Sequence, residues 1–419
     1  MKTKKIIVEV CRVILGLVFI FSGFVKAVDP WGSAYKIQEY LASFGLDFFD
    51  FIALPASFIQ SALEFALGVF LLAGVYRKIT SFLVLLTMCF MTPLTLYVAI
   101  ANPVTDCGCF GDALVISNWQ TFFKNLVLIA MAILVFLWHR QMSFLFSKKS
   151  RSLVVLYTLV FILGVSFYCY ANLPILDFRP YKTGNNISEL MEIPEDAERN
   201  VYETTLVYEK DGVKQKFTMA DYPKGDSGWT YVETINTLVK KGYEPPIHDF
   251  TITNEDGDDI TDEVLSDPGY SFLLIAHKLE KANESHIDKI NGLYDYARQK
   301  GYRFLCLTSS LPDQIKEWKG STGAEYPFCT TDDVALKTII RSNPGLMLIK
   351  DAVIINKWPD RKIPGEEELL APLADSPLGV PPANHNVRTV LLLALVLFVP
   401  LLSLFLFDFF RYRKKTHNS

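Results

Sequence analysis

The sequence of 419 residues has no internal repeat and no low-complexity tract, and its long polar stretch 173–387 carries no basic patch. With a formal net charge of −4, the missing patch argues against a nucleic-acid partner. The six histidines, 139, 248, 277, 286, 385 and 417, fall into no ligand or triad spacing, and no His-x-x-x-His occurs, so a zinc site has no local support. No small-x-small cleavage site follows the first apolar run, so the lysine-rich N-terminus reads as a retained signal anchor rather than a cleaved peptide. Cysteine is absent between 270 and 305, which bears on the chemistry below.

Half of the residues are hydrophobic, and they are gathered into blocks. A helix needs about 20 consecutive apolar residues to cross a bilayer. Such blocks lie near 6–27, 51–74, 79–100, 117–138, 152–172 and 388–408. If the N-terminus is inside, the segments MKTKK, Tyr76 to Lys78, 139–151 and the tail from Arg411 all fall on the cytoplasmic side, and all are basic, as the positive-inside rule requires. The expectation is a multi-pass protein of a bacterial inner membrane with both termini cytoplasmic. The loop DCGCFGD at 106–112 and the polar stretch 173–387 then face the periplasmic side, where disulfides persist.

Within that stretch, Asp211-Gly212 between two alternating runs predicts a hairpin. FTITNEDGDDIT predicts a second one. From 270 onward, strands (YSFLLIA, YRFLCLTSS, YPFCT, GLMLIK, AVIINKW) alternate with helical segments, the pattern of an α/β layer fold. LADSPLGVPPANHN reads as a Pro-rich linker into the last span.

That order of elements resembles the thioredoxin-like fold, particularly its TlpA and peroxiredoxin branch, over 246–365. HDFTITNEDGDDIT is similar to the family's opening hairpin, and Asn343-Pro344 stands where the family has its cis-proline loop. The family's reactive cysteine follows the strand matched by YSFLLIA, where this chain has AHKLEKANESH. Without a thiolate there the domain cannot attack a disulfide by the family's route, and it reads as a degenerate module.

Seven cysteines are present. Cys11 and Cys89 read as apolar fillers of spans, and Cys169 lies near the outer end of the fifth. Cys107-Gly108-Cys109 is distinctive, because a disulfide closed across one residue is strained and therefore exchangeable. Three other readings compete with exchange: a metal site completed by distant ligands, separate structural disulfides, and two incidental thiols. Lys124, seven residues into the following span, is placed to snorkel outward and stabilise a thiolate, while Asp106 and Asp112 oppose it. Cys306 and Cys329, on strands expected to be neighbours, form a candidate disulfide; buried core cysteines are the alternative.

RVILGLVFIFSGFVKAVDP in span one and LEFALGVFLLAG in span two resemble the DoxX-like superfamily, and CGCFG narrows the resemblance to its MauE-like branch, over roughly 5–140. The resemblance implies a four-helix membrane unit tied to disulfide maturation of exported proteins or to quinone-linked sulfur oxidation. The residues it implies are Cys107 and Cys109, and secondarily Arg12, Ser22, Lys26 and Glu64. A charge at the bilayer centre costs about 3 kcal/mol on insertion scales, so such residues persist when paired or facing a polar cavity. At about 1.5 Å per residue, Arg12 lies about 9 Å and Glu64 about 15 Å from the cytoplasmic ends of their spans, a gap an arginine side chain could bridge. A structural ion pair and a proton or quinone site fit these two residues equally well.

The sequence therefore predicts a membrane all-α bundle joined to a thioredoxin-like α/β domain. Its parts are a four-span bundle at 1–140, a fifth span at 151–173, a hairpin region at 174–245, the degenerate thioredoxin-like domain at 246–365, a linker at 366–387, a closing span at 388–410 and a basic tail at 411–419. The expected function is a thiol-disulfide redox component in which Cys107 and Cys109 exchange electrons with an exported thiol protein, with a membrane quinone as the one candidate cofactor and no metal. The alternative is a non-catalytic envelope scaffold whose thioredoxin-like domain binds partners. A transporter ranks third, since no pair of broken helices accompanies the buried acid.

Overall fold

The computed structural model describes residues 2–104, 106–198, 201–210, 212–218, 221–224, 228–240, 242–383 and 386–417. Six helices come first: α1 (Lys2–Val28), α2 (Pro30–Ser43), α3 (Ala53–Ala73), α4 (Arg77–Ala101), α5 (Asn118–Leu137) and α6 (Arg151–Ala171). A short α7 (Ile187–Met191) precedes β1 (Val201–Lys210), β2 (Val213–Thr218) and β3 (Thr230–Lys240). The α/β domain runs α8 (Thr261–Leu265), β4 (Tyr270–Ile275), α9 (Ile287–Lys300), β5 (Arg303–Thr308), α10 (Pro312–Thr322), β6 (Phe328–Thr330), α11 (Asp333–Ile339), β7 (Gly345–Lys350) and β8 (Val353–Pro359). The last helix is α12 (Asn386–His417).

Among the described residues six helices are long and apolar enough to span a membrane: α1, α3 with the turn before it, α4, α5, α6 and α12. Small residues set the register of the α1–α3 pair. A Cβ on Gly23 would collide with the Phe65 backbone nitrogen, and one on Gly68 would lie 2.6 Å from that of Ile20. The backbones can approach this closely only where side chains are missing. That register places Glu64 level with the C-terminal end of α1 and Arg12 more than ten residues away along it. α2, which the hydropathy pattern does not reveal, caps this end of the bundle. Asp29 is its N-cap, accepting from the Gly32 amide at 2.9 Å, and Pro30 opens its first turn.

The α/β domain is built on a five-stranded sheet in the order β6-β5-β4-β7-β8, with β4, β5 and β6 parallel and β7 and β8 antiparallel to them. This is the thioredoxin-like arrangement, with helices on both faces, and the Asn343–Pro344 bond is cis. All six residues of β4 are buried. Phe272 and Leu274 enter one core and Leu273 and Ile275 the other, the alternation expected of a central strand covered on both sides.

Several sequence expectations change here. The turn at Asp211-Gly212 includes a residue outside the described set, but the flanking strands do pair antiparallel, Lys210 opposite Val213, and β3 joins them as an unforeseen third strand in the order β2-β1-β3. FTITNEDGDDIT does turn back on itself as expected, but as a short hairpin rather than a full ladder: Thr253 bridges Asp259 antiparallel, the Asn254 amide donates to the Asp258 carbonyl and the Ile260 amide to the Ile252 carbonyl at 2.9 Å each, and Thr253 also bridges Thr330. The stretch expected to be a linker is packed: Leu369 and Leu373 are buried in the core of the α/β domain, and the Tyr270 hydroxyl donates to the Gly379 carbonyl. Asn384 and His385 lie outside the described residues.

Candidate functional site

The Cys-Gly-Cys loop lies where α2, the ends of α1 and α3, and the start of α5 meet. Gly108 has φ +66°, a conformation glycine adopts without strain, and the Asp106 carboxylate accepts its amide at 2.7 Å. The reversal this creates brings the Cys107 and Cys109 sulfurs to 2.8 Å, both as free thiols and both buried. Because the two side chains flank a single glycine, the contact is built by local backbone geometry and needs no distant element to hold it.

Polar groups hold the loop from both sides. On the bundle side the Cys109 carbonyl accepts from Ser22 Oγ at 2.7 Å and Lys26 Nζ at 2.8 Å. Lys26 also donates to Ser22 and forms a buried ion pair with Glu64 at 2.8 Å, so all three ammonium protons are used. Gln60 completes the Glu64 carboxylate at 3.0 Å. On the α2 side the Tyr40 hydroxyl donates to the Cys107 carbonyl at 2.9 Å, and Lys36 bridges Glu39 and Asp106 at 2.7 and 3.2 Å. Lys124 does not approach as a bare charge: its ammonium lies 4.0 Å from the centre of the Phe110 ring.

The two thiols are inequivalent. The Cys109 thiol is drawn down to about 7, first by the hydrogen bond from Cys107 and then, against the opposing effect of burial, by the positive charges of Lys124 and Lys26. Cys107 is pushed well above the usual thiol range, because it holds the shared proton and is itself buried. Near neutral pH this gives Cys109 a substantial thiolate fraction, which accepts from the Cys107 thiol.

The α/β domain sits directly over this region. Arg341, between α11 and the cis proline, grips Asp29 with Nε and Nη2 at 2.8 to 3.1 Å, and its Nη2 reaches Asp112 of the loop at 3.2 Å. The connecting segment is pinned as well. Asp177 binds Arg179 at 2.8 Å and Lys357 at 2.8 Å, while Leu176 packs into the bundle against Val165 and Cys169. Between the loop, α2, this segment and α11 lies a cavity of about 500 Å³. On the opposite side of the loop Cys109 borders a void of only about 40 Å³, shared with Ser22, Lys26, Glu64 and Lys124. Small-molecule pockets run to about 300–1,000 Å³; the larger cavity falls in that range and this void well below it.

His277 follows β4, where a thioredoxin-like nucleophile would stand. It meets Tyr35 of α2 edge-on with ring centroids 6.5 Å apart, and burial holds its pKa down at about 4, so it is neutral. It cannot replace a thiolate.

Two expected pairings are not formed. Arg12 does not reach Glu64; it binds Glu9 at 3.0 Å and the Ser143 carbonyl at 2.6 Å, at the far end of α1. The depth count failed because the glycine contacts, not equal distance from the membrane edge, set the α1–α3 register, and these give Glu64 to Lys26. Cys306 and Cys329 are free, and β5 and β6 are indeed neighbours, but Cys306 is opposite Phe328 and Cys329 opposite Leu307. One residue of offset turns the two side chains to opposite faces of the sheet, into separate cores. Of the candidates, the structure gathers Cys107, Cys109, Ser22, Lys26, Glu64 and Lys124, and leaves Arg12, Cys306 and Cys329 elsewhere. Sequence reasoning missed Asp29, Lys36, Tyr40 and Arg341; only the Asp29-Pro30 start of α2 carried a local signal. Among the described residues no group of His, Cys, Asp or Glu has the geometry to hold a metal ion.

Comparison with known proteins adds to this geometry. Curated protein sequences give no match. Among solved structures, a candidate protein disulfide isomerase from Bacteroides thetaiotaomicron is 19% identical, covering 28% of this chain and 78% of its own, with a TM-score of 0.23. An uncharacterized conserved protein from Geobacillus kaustophilus is 16% identical over 32% of this chain and 82% of its own, with a TM-score of 0.25. StoA from Bacillus subtilis is 13% identical over 26% of this chain and 87% of its own, with a TM-score of 0.22. Residues 202–241 match the model of a domain of unknown function, DUF8463. Residues 4–138, which include the whole Cys-Gly-Cys loop and its charged supports in α1 and α3, match the family model of the methylamine utilisation protein MauE.

Proposed function

We propose that this chain is a membrane thiol-disulfide exchange protein whose reactive pair is Cys107 and Cys109. The carrying observation is the contact of the two sulfurs at 2.8 Å in a loop braced by Lys26, Ser22 and Tyr40. In the forward direction the Cys109 thiolate attacks one sulfur of a client disulfide, and the client's other sulfur leaves as a thiolate. Cys107 then gives up its proton and attacks Cys109, closing the Cys107–Cys109 disulfide and releasing the second client thiolate. Two electrons pass to the client, and the reverse sequence returns them. The client is an exported thiol protein. The basic segments support a reading in which the α/β domain and the loop face the periplasmic side of a bacterial inner membrane, with both termini cytoplasmic. Quinone coupling is implied only by the resemblance to the DoxX-like superfamily, and no step runs through it here.

A second reading, an envelope scaffold in which the loop is a structural clip, is favoured by one observation: the segment directly after β4 holds no cysteine, so the α/β domain lacks the family's exchange nucleophile. Thiol trapping in cells separates the two. A pair found in mixed redox states, quickly reoxidised after a dithiothreitol pulse and capturing a partner when one cysteine is changed to serine, supports exchange. A pair that stays oxidised, resists reduction and captures nothing leaves the scaffold.

A further inference from the structure

Granting that the pair exchanges disulfides, its client must reach sulfurs that are both buried. Asp106, Gly108 and Gly111 line the large cavity and also the small void around the sulfurs, so only the loop backbone separates the two spaces. At Gly108 that wall has no side chain. The Lys36 stem lies across it, its Cγ 2.7 Å from where a Cβ on Gly108 would be. Lys36 is held by exposed Glu39 and by Asp106, contacts that a swing of a flexible chain can release.

The size and lining of the cavity restrict what can enter. About 500 Å³ lies in the range of small-molecule sites, too small for a folded protein and enough for a short extended segment. Its walls carry both signs: Lys36 and Lys337 face Glu39, Asp106 and Asp112. Arg341 and Arg179 are saturated by Asp29, Asp112, Asp177 and the Thr338 carbonyl, so the lining is not an anion trap. Mixed charge and modest size suit a peptide backbone with its dipolar amides.

We infer that this cavity is the entry chamber of the exchange site, and that it takes a disulfide-bonded cysteine carried on a short extended peptide, with Lys36 as the gate over Gly108. The peptide is either free or a loop of an exported protein.

The test uses the full-length protein in lipid nanodiscs with Cys107→Ser, so that attack by Cys109 stops at the mixed disulfide. The probe is the tripeptide Gly-Cys-Gly joined by a disulfide to thionitrobenzoate. Attack on the peptide sulfur breaks that bond, and the coloured thionitrobenzoate leaves with the electron pair. Methyl methanethiosulfonate, a far smaller disulfide-forming reagent, measures the reactivity of the sulfur in each variant. Filling the chamber from the α/β side with Val334→Trp or Thr338→Trp should lower the peptide rate about 10-fold relative to the small reagent, as a blocked approach does. Lys36→Ala should raise it, a change of sign that a misfolded variant does not give. If both ratios stay at the parental value while the small reagent still reacts, the chamber is not the route, although the exchange reading survives. If Cys109 reacts with the small reagent but with no disulfide-linked peptide in any variant, the exchange reading fails and the chamber with it. The same tripeptide placed in a loop of a folded, otherwise cysteine-free protein identifies the source: the faster of the two, slowed by the tryptophans, is the client class.

Discussion

Removing Arg341 should uncover the loop. Its guanidinium makes three contacts of 2.8 to 3.1 Å with Asp29, reaches Asp112 at 3.2 Å and donates to the Lys337 carbonyl at 2.6 Å. In Arg341→Ala the Asp29 carboxylate keeps only its bond to the Gly32 amide. Removing one partner of a buried pair costs about 3–5 kcal/mol, and the low end applies because Asp29 is 18% exposed. The Asp112 contact is 47% exposed on the acid's side and adds little. A loss of about 3 kcal/mol shifts the docking equilibrium on the order of 100-fold.

The assay is the rate at which a PEG-maleimide too large for the chamber modifies Cys109. Such a reagent needs the α/β domain to lift, so its rate follows the undocked fraction. The expectation is a rise on the order of 100-fold for Arg341→Ala, with Arg341→Lys between, because an ammonium keeps the charge and loses the paired geometry. A rate equal to that of the parent protein would mean that the α/β domain does not cover the loop, and the account of the interface would be wrong.

Three further outcomes are expected. In Cys107→Ser, whose hydroxyl can still donate to Cys109, alkylation by a small reagent should rise with pH to a midpoint below the ordinary thiol value, since the thiolate is the reacting form and its pKa in the parent is drawn down to about 7; adding Lys124→Met should move the midpoint upward, and a midpoint at the ordinary thiol value in Cys107→Ser would refute the electrostatics. Lys26→Met should lower thermal stability by about 3–5 kcal/mol by stranding the Glu64 carboxylate, and adding Glu64→Gln should recover much of it, whereas additive losses would show the two groups to be independent. Oxidation of the protein with diamide should leave Cys306 and Cys329 as thiols by intact-mass analysis, because their register turns them to opposite faces of the sheet.

Hydropathy and strand-helix alternation made the architecture legible, because both are local patterns: an apolar block is a span wherever its neighbours lie, and the Tyr270–Ile275 run is apolar throughout because the strand is covered on both faces. The contact between Cys107 and Cys109 was legible for the same reason, since the two meet through one glycine. α2 was not, because its fourteen residues mix Trp31, Tyr35 and Tyr40 with Lys36, Gln38 and Glu39 and give no apolar block. Its start was nevertheless written in Asp29-Pro30, an N-cap followed by a proline at the first helical position.

What the sequence hid is whatever depends on register between distant segments. Arg12 and Glu64 are both charges in spans, and counting depth from the membrane edge pairs them. The choice of Lys26 instead comes from Gly23 and Gly68, which let α1 and α3 slide to a particular offset. The same holds for Cys306 and Cys329, whose strands are neighbours but differ by one residue in pairing. The clamp over the loop is the extreme case: Arg341 and Asp29 are 312 residues apart and Lys26 and the Cys109 carbonyl 83, and no local pattern links either pair. These long-range contacts couple the thioredoxin-like domain to the bundle's thiols. A domain with no cysteine directly after β4 but with a buried arginine against the loop covers a pair of sulfurs it does not supply, and that arrangement could be read only once the two halves were seen together.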